Sequence, residues 1–270
     1  MAVIQAKDEG EMSNLLELKN AGFSYPDSTA VFRDVSVTVN SGQVLAILGP
    51  NGAGKSTLLN CIAGFYALDR GCIYINGIPI KKMSRKTVAQ SIGYVPQIHN
   101  PAYSYSVRDF VVMGRAPYIS AFRLPGKRDY AKADAAIELM GISHLAQRPY
   151  TDVSGGERQQ ATIARVIVQE PQIIMLDEPT SALDFGNQLR TIRMIKALSE
   201  RGYAIVMTTH NPDQAIMLEG MVGILKKNGQ FTVGKAQEII KEKTLTELYQ
   251  TEVKITYVEQ VRRNVCLTRL

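Results

Sequence analysis

The sequence predicts an α/β fold, a mostly parallel sheet covered on both faces with a helical lobe inserted into it. Three observations predict it. Apolar strand-like runs alternate with helical segments through much of the 270 residues, and such alternation builds parallel sheets between helical layers. The apolar run Gln43–Leu48 leads into Gly49-Pro50-Asn51-Gly52-Ala53-Gly54-Lys55-Ser56-Thr57 and then into the helical stretch Thr57–Gly64, the strand–loop–helix setting of a phosphate-binding loop. From Val107 to about Gln147 the pattern becomes helical, with Tyr130, Ala133, Ile137 and Met140 on one face. Pro117, Pro125 and Pro149 break that stretch into short pieces.

In chain order, residues 1–12 read as a flexible tail. Leu15–Leu18 begins a strand, and Val31–Val39 is a second, with Val35, Val37 and Val39 alternating against Ser36 and Thr38. The turn Gly22–Asp27 between them carries Tyr25, for which packing on a strand and a stacking platform for adenine are both open readings. Gly71–Asn76 and Ser91–Pro96 read as strands, Gly155–Gln169 as a helix, Gln172–Leu176 as a buried strand and Asn187–Arg201 as a helix. Tyr203–Thr208, Pro212–Leu218 and Met221–Leu225 continue as strand, helix and strand. From Gly229 the chain reads as a small appended unit, with strands Gln230–Val233 and Val253–Tyr257 and a helix Thr244–Tyr249 that Thr244 and Glu247 could close with a capping box. The expected domains are a core of residues 13–98 and 154–228, a helical subdomain of 99–153 and a C-terminal appendage of 229–270.

Composition excludes several classes. Hydrophobic content of 45% with 21% charged residues is globular, and no apolar stretch approaches the ~18 residues of a membrane span. Met1–Met12 lacks the apolar core of a signal peptide, so a cytosolic location is expected. Cys61, Cys72 and Cys266 show no C-x-x-C spacing and are expected to be reduced thiols; His99, His144 and His210 are too scattered in sequence to propose a metal site. The net charge of +6 fits a solvated basic surface first, a membrane surface second and nucleic acid third.

The glycines of the loop let its backbone wrap an anion with N–H groups inward. Lys55 can reach β- and γ-phosphates, the Ser56 hydroxyl can take a place on Mg²⁺, and the following helix adds the positive end of its dipole. Ile173–Leu176 is an apolar strand ending in Asp177 and Glu178, at the strand end that faces the ligand crevice in a parallel sheet. Asp177 would serve Mg²⁺ directly or through water, and Glu178 would polarise the attacking water. Ser154-Gly155-Gly156-Glu157 contains a capping box, yet two glycines in a first turn cost about 1 kcal/mol each relative to alanine. Bare N–H groups open to a second anion account for that cost better than capping does. His210 and Gln97 each follow a strand end; each is a weak signal by itself.

Together these segments resemble the ATP-binding-cassette (ABC) ATPases, from about Asn14 to Val258. Gly49–Thr57, Gln97, Ser154–Glu157, Leu176-Asp177-Glu178-Pro179, Ser181-Ala182-Leu183-Asp184 and His210 occur in that family's order. Val153 stands where the family usually has Leu, and Glu157 where it usually has Gln. The resemblance implies a P-loop NTPase core, mostly parallel with antiparallel N-terminal strands, and ATP and Mg²⁺ as ligands. It implies that Tyr25 stacks on adenine, that Lys55, Ser56 and Thr57 hold phosphates and Mg²⁺, and that Gln97 senses metal and water. Glu178 is then the general base and His210 touches the γ-phosphate. The Ser154–Gly156 amides are implied to act in trans, closing on the ATP of a second copy in a head-to-tail dimer with Asp184 along its seam.

Met113–Tyr118, Gly155–Gln160 and Ser181–Gln188 resemble importers of iron–siderophore complexes, haem, cobalamin and molybdate. That implies polytopic membrane permease subunits, an extracytoplasmic substrate-binding protein that acts on them, and a peripheral place on the inner face of the cell membrane. A permease helix is implied to dock near Ile98–Tyr118. Tyr103, Tyr105 and Tyr118 either line that cleft or pack inside the lobe. Two alternatives remain: a soluble cassette serving nucleic acid or protein assembly, and an exporter's ATPase. Heptad coiled coils and a second cassette, the marks of the soluble class, do not occur, and no nucleic acid is expected.

Overall fold

The computed structural model describes residues 14–26, 28–97, 104–120 and 122–268. Asn14–Ser24 (β1) and Ala30–Asn40 (β2) pair antiparallel and turn Leu16, Leu18, Phe32 and Val35 inward, fully or almost fully buried. All five residues of Val44–Leu48 (β3) are buried, as expected of a strand covered on both faces. The phosphate loop feeds Lys55–Ile62 (α1), which starts two residues before the expected Thr57. Arg70–Ile75 (β4) returns to β1, and Ile78–Pro79 (β5) completes an antiparallel sheet in the order β2-β1-β4-β5. Arg85–Ser91 (α2) was not foreseen; Ser84 caps it by accepting from Thr87 N. It takes Ser91 out of the expected strand, which runs Ile92–Val95 (β6).

The inserted lobe is built from Val107–Val112 (α3), a 3-10 turn at Met113–Tyr118 that accommodates Pro117, and Lys127–Leu139 (α4). These pack on the outer part of Gly155–Ile167 (α5). Ala133, Ile137 and Met140 are buried there, while Tyr130 is half-buried and donates its hydroxyl to Asp109 Oδ1 at 3.1 Å.

The chain then alternates: Ile173–Leu176 (β7), Phe185–Glu200 (α6), Ala204–Thr209 (β8), Pro212–Leu218 (α7), Met221–Leu225 (β9) and Phe231–Lys235 (β10). The second sheet has the order β10-β9-β3-β8-β7-β6, parallel except where β10 runs antiparallel to β9. Alternation along its strands divides the interior into two cores. Ala46, Leu48, Ile174 and Met207 face the helical side, whereas Leu45, Ile47, Met175 and Val206 face α1 and the antiparallel sheet.

Past β10 come Ala236–Ile239 (α8), Glu242–Tyr249 (α9), Val253–Val258 (β11) and Arg263–Thr268 (β12), the last two an antiparallel hairpin. The expected capping box at Thr244 is not formed, because α9 already begins at Glu242 with Lys241 before it. The Glu242 carboxylate there accepts from Ile255 N at 2.9 Å and ties the helix to β11.

Candidate active site

Four strand ends of the second sheet meet at one edge, and the chemistry gathers on them. The loop after β3 turns through Gly52 and Gly54 at φ 78° and 97°, conformations that only glycine adopts without strain. A Cβ on Gly54 would also strike Val31. Lys55 is thereby buried at the start of α1, and its ammonium donates to Gly49 O at 2.8 Å and Pro50 O at 3.3 Å. Its remaining partner is Glu178 Oε1 at 3.1 Å, so all three ammonium hydrogens have acceptors. Ser56 is exposed at the loop mouth, with Asn51 and Gly52, while Ala53 is buried beneath.

Glu178 is the meeting point. Besides Lys55 it takes Gln97 Nε2 at 3.4 Å and His210 Nδ1 at 3.1 Å, both on Oε2. Facing a carboxylate, that ring nitrogen carries the hydrogen and leaves Nε2 for another partner. Glu178 itself sits at φ 45°, a left-handed conformation uncommon for a non-glycine residue and typical of strained functional positions. Beside it Asp177 is buried and fixed: Thr208 Oγ1 donates to Oδ1 at 2.6 Å, and Tyr94 OH to Oδ2 at 3.4 Å. Burial, and then the Asp177 charge, push the Tyr94 phenol well above its ordinary range, so it stays a donor.

Thr208 is a residue that sequence reasoning missed. Its hydroxyl also accepts from Glu178 N at 2.9 Å, so one buried group orients both carboxylate residues. Gln214 was missed as well; its Oε1 accepts from Thr180 Oγ1 at 3.0 Å and Thr209 Oγ1 at 2.8 Å, joining the segment after Glu178 to the one carrying His210. The signal for Thr208 was legible, since Thr208 and Thr209 are polar residues closing an otherwise apolar strand.

Tyr25 is 42% exposed. Its hydroxyl lies 3.0 Å from Thr57 Oγ1, and its ring packs edge-on against Phe23 and Tyr66. The segment Ser154–Glu157 forms the capping box: Ser154 N and Oγ donate to Glu157 Oε2 at 2.8 and 2.7 Å. Those bonds hold the Glu157 carboxyl below its ordinary range. The two glycines have different reasons. A Cβ on Gly156 would lie 2.6 Å from the Asn187 carboxamide on α6, which would have to move aside, whereas Gly155 is exposed, with only Leu183 near at 3.8 Å. Packing therefore gives Gly156 a reason of its own to be glycine, whereas the neighbours of Gly155 give it none. Asp184 caps α6, accepting from Asn187 N at 2.9 Å and Nδ2 at 2.7 Å.

No group of three or more His, Cys, Asp or Glu side chains suited to a metal occurs among the described residues. The donors fit Mg²⁺ in company with phosphate oxygens instead: a hydroxyl (Ser56), an amide (Gln97) and one buried, oriented carboxylate (Asp177).

The ABC transporter family model matches residues 32–181. The chain belongs to the ABC transporter family. As an ABC protein it binds ATP and hydrolyses it. It is 37% identical over 239 residues to the molybdate import ATP-binding protein MolC of Haemophilus influenzae, covering 88% of this chain and 89% of that one. It is 31% identical over 256 residues to the iron(3+)-hydroxamate import ATP-binding protein FhuC of Bacillus subtilis, covering 94% and 95%. A solved structure described as the inward-facing conformation of a metal-chelate type ABC transporter superposes with a TM-score of 0.85 at 33% identity, covering 96% of this ABC chain and 98% of its own. Among the described residues, no helix of the ABC chain is long and apolar enough to cross a membrane.

Proposed function

We propose that this chain is the ATP-hydrolysing subunit of an importer for a metal chelate or an oxyanion, with Glu178 as the general base. The observation that carries the catalytic assignment is the convergence of Lys55, Gln97 and His210 on that one carboxylate. ATP phosphates compete for Lys55, and once its ammonium turns to them Glu178 is released to take a proton from water. Gln97 and His210 remain to orient that water and the γ-phosphate. Mg²⁺ held near Ser56, Gln97 and Asp177 would neutralise charge on the phosphates. Tyr25 offers its exposed face to adenine, and Asn51, Gly52 and Thr57 complete the phosphate cradle.

The signature amides act on a second copy in this reading. Ser154, Gly155 and Asp184 are all exposed, on the surface that a head-to-tail dimer would close. The cargo class rests on MolC, FhuC and the metal-chelate neighbour. A permease segment would dock in the groove of about 900 Å³ beside β6, lined by Phe65, Tyr66, Ile80, Met83, Val88 and Tyr94. Of the stretch Ile98–Tyr118 expected near the permease helix, residues 98–103 lie outside the described residues. Tyr103 lies outside the described residues. Tyr105 and Tyr118 do not line the groove; Tyr118 is held in the lobe, its hydroxyl on Gln169 O at 3.0 Å and the Arg115 guanidinium over its ring. A substrate-binding protein outside the cell would act on the permease, and this chain would sit peripherally on the cytoplasmic face.

Capture tests the proposal. A tagged Glu178→Gln protein with ATP is taken from detergent-solubilised membranes and its companions are identified. A stoichiometric polytopic membrane protein supports the importer, and that partner's own sequence narrows the cargo. A soluble partner or nucleic acid overturns it while leaving the ATPase intact.

A further inference from the structure

The C-terminal unit reaches back to the active site through Tyr249. Tyr249 closes α9, and its hydroxyl donates to His210 O at 2.8 Å. The phenol is half-buried, and desolvation, followed by the nearby Cys266 and Glu178, raises its ionisation well above the ordinary range, so it remains protonated and a donor. His210 is half exposed and follows β8 directly. Its ring meets Glu178 at 3.1 Å, so a shift of its backbone carries the imidazole off the carboxylate. The next residues are gripped by the same unit. Asp213 Oδ1, in the first turn of α7, accepts from Cys266 N at 3.0 Å and lies 3.5 Å from Arg263 Nη1, both on β12. The local anchors of the segment, Asn211 N on Thr209 Oγ1 and Asp213 N on Asn211 Oδ1, fix its turn, but neither reaches the His210 carbonyl.

We propose that Tyr249 is a positioning residue for hydrolysis, holding the His210 backbone so that its imidazole meets Glu178. The inference rests on the role given to His210 above. Because Tyr249 and the hairpin belong to the appendage, the same contact makes hydrolysis sensitive to how that appendage packs. Loss of one oriented hydrogen bond displaces a catalytic group by fractions of an ångström, and such misplacement is costly in rate.

The test uses the full chain as four proteins: parent, Tyr249→Phe, His210→Ala and the double variant. Tyr249→Phe keeps the ring and its packing. Its kcat should fall about 3- to 10-fold with the KM for ATP within about twofold. In the His210→Ala background the same change should do nothing further, because the phenol acts only through His210. The imidazole NMR signals of His210, assigned by their loss in His210→Ala, should shift in Tyr249→Phe while those of His144 stay in place. Parental kcat in Tyr249→Phe, a loss that multiplies undiminished in the double variant, or unmoved His210 signals would each overturn the inference. If His210→Ala itself turns over like the parent, the role of His210 fails and the inference falls with it. A crippled His210→Ala beside a normal Tyr249→Phe removes Tyr249 alone.

Discussion

Lys55 Nζ and Glu178 Oε1 lie 3.1 Å apart with both side chains nearly buried, so the cation of the phosphate loop and the proposed base neutralise each other. A buried pair of this kind is costly to break from one side only. Glutamine at 178 keeps an acceptor for Lys55 but cannot take a proton. Glu178→Gln should therefore retain ATP binding, lose about 10²- to 10⁴-fold in turnover and accumulate an ATP-bound dimer on size exclusion. Normal steady-state phosphate release by this variant removes Glu178 from the base role.

Lys55→Ala deletes the charge that would meet the phosphates. Charge-assisted hydrogen bonds contribute about 1.5–3 kcal/mol, so ATP affinity should weaken about 10- to 100-fold in an equilibrium titration. Unchanged affinity sinks the phosphate-loop assignment.

Gly155 and Gly156 should separate under mutation. A Cβ at 156 meets the Asn187 carboxamide at 2.6 Å, and Asn187 is itself held by Asp184. Gly156→Ala should cost about 1–3 kcal/mol by overpacking, read as a lower denaturation midpoint. Gly155→Ala has room and gains helix propensity, so its fold should be as stable as the parent or more so. Its ATPase should still fall, because the exposed amides would close on the partner's nucleotide. Full activity in Gly155→Ala would falsify that use of the signature in trans.

Thr208→Val keeps the shape of a fully buried side chain and deletes the hydroxyl that serves Asp177 and Glu178 N. Two buried polar groups lose their partner, which costs about 1–3 kcal/mol. Urea denaturation should show that loss, and kcat should drop with it because Asp177 keeps only the longer bond from Tyr94. A variant equal to the parent in both would mean the hydroxyl orients nothing.

The helical lobe should weaken in acid. Arg108 bonds both carboxylate oxygens of Asp134, at 2.6 and 2.7 Å, and holds that carboxyl below its ordinary range. A folded-state pKa that is lowered gives stability present above the unfolded value of about 4 and lost as pH falls through the folded one. Asp134→Asn removes that dependence, so between about pH 5 and pH 3 its melting temperature should decline less than the parent's. Equal declines would show the pair contributes nothing.

Much of the site was written locally. Loop chemistry depends on residues adjacent in the chain: the glycines of Gly49–Thr57 can fold round an anion because no side chain forbids it, and a short apolar run such as Ile173–Leu176, closed by Asp177 and Glu178, reads as a buried strand. The strand-end rule then located Asp177, Glu178 and His210 at one edge before any contact was known. Local pattern failed where a neighbour decided. The helix Arg85–Ser91 lacked an apolar stripe strong enough to read, and α9 starts at Glu242 because Ile255 and Lys254 supply donors to that carboxylate. Tertiary structure alone decided that Thr208 joins Asp177 to Glu178, that Gly156 is glycine for the sake of Asn187, and that Tyr249 closes on His210. Each of those contacts spans 30 residues or more. Their geometry depends on strand order and helix packing, which no short stretch of sequence contains.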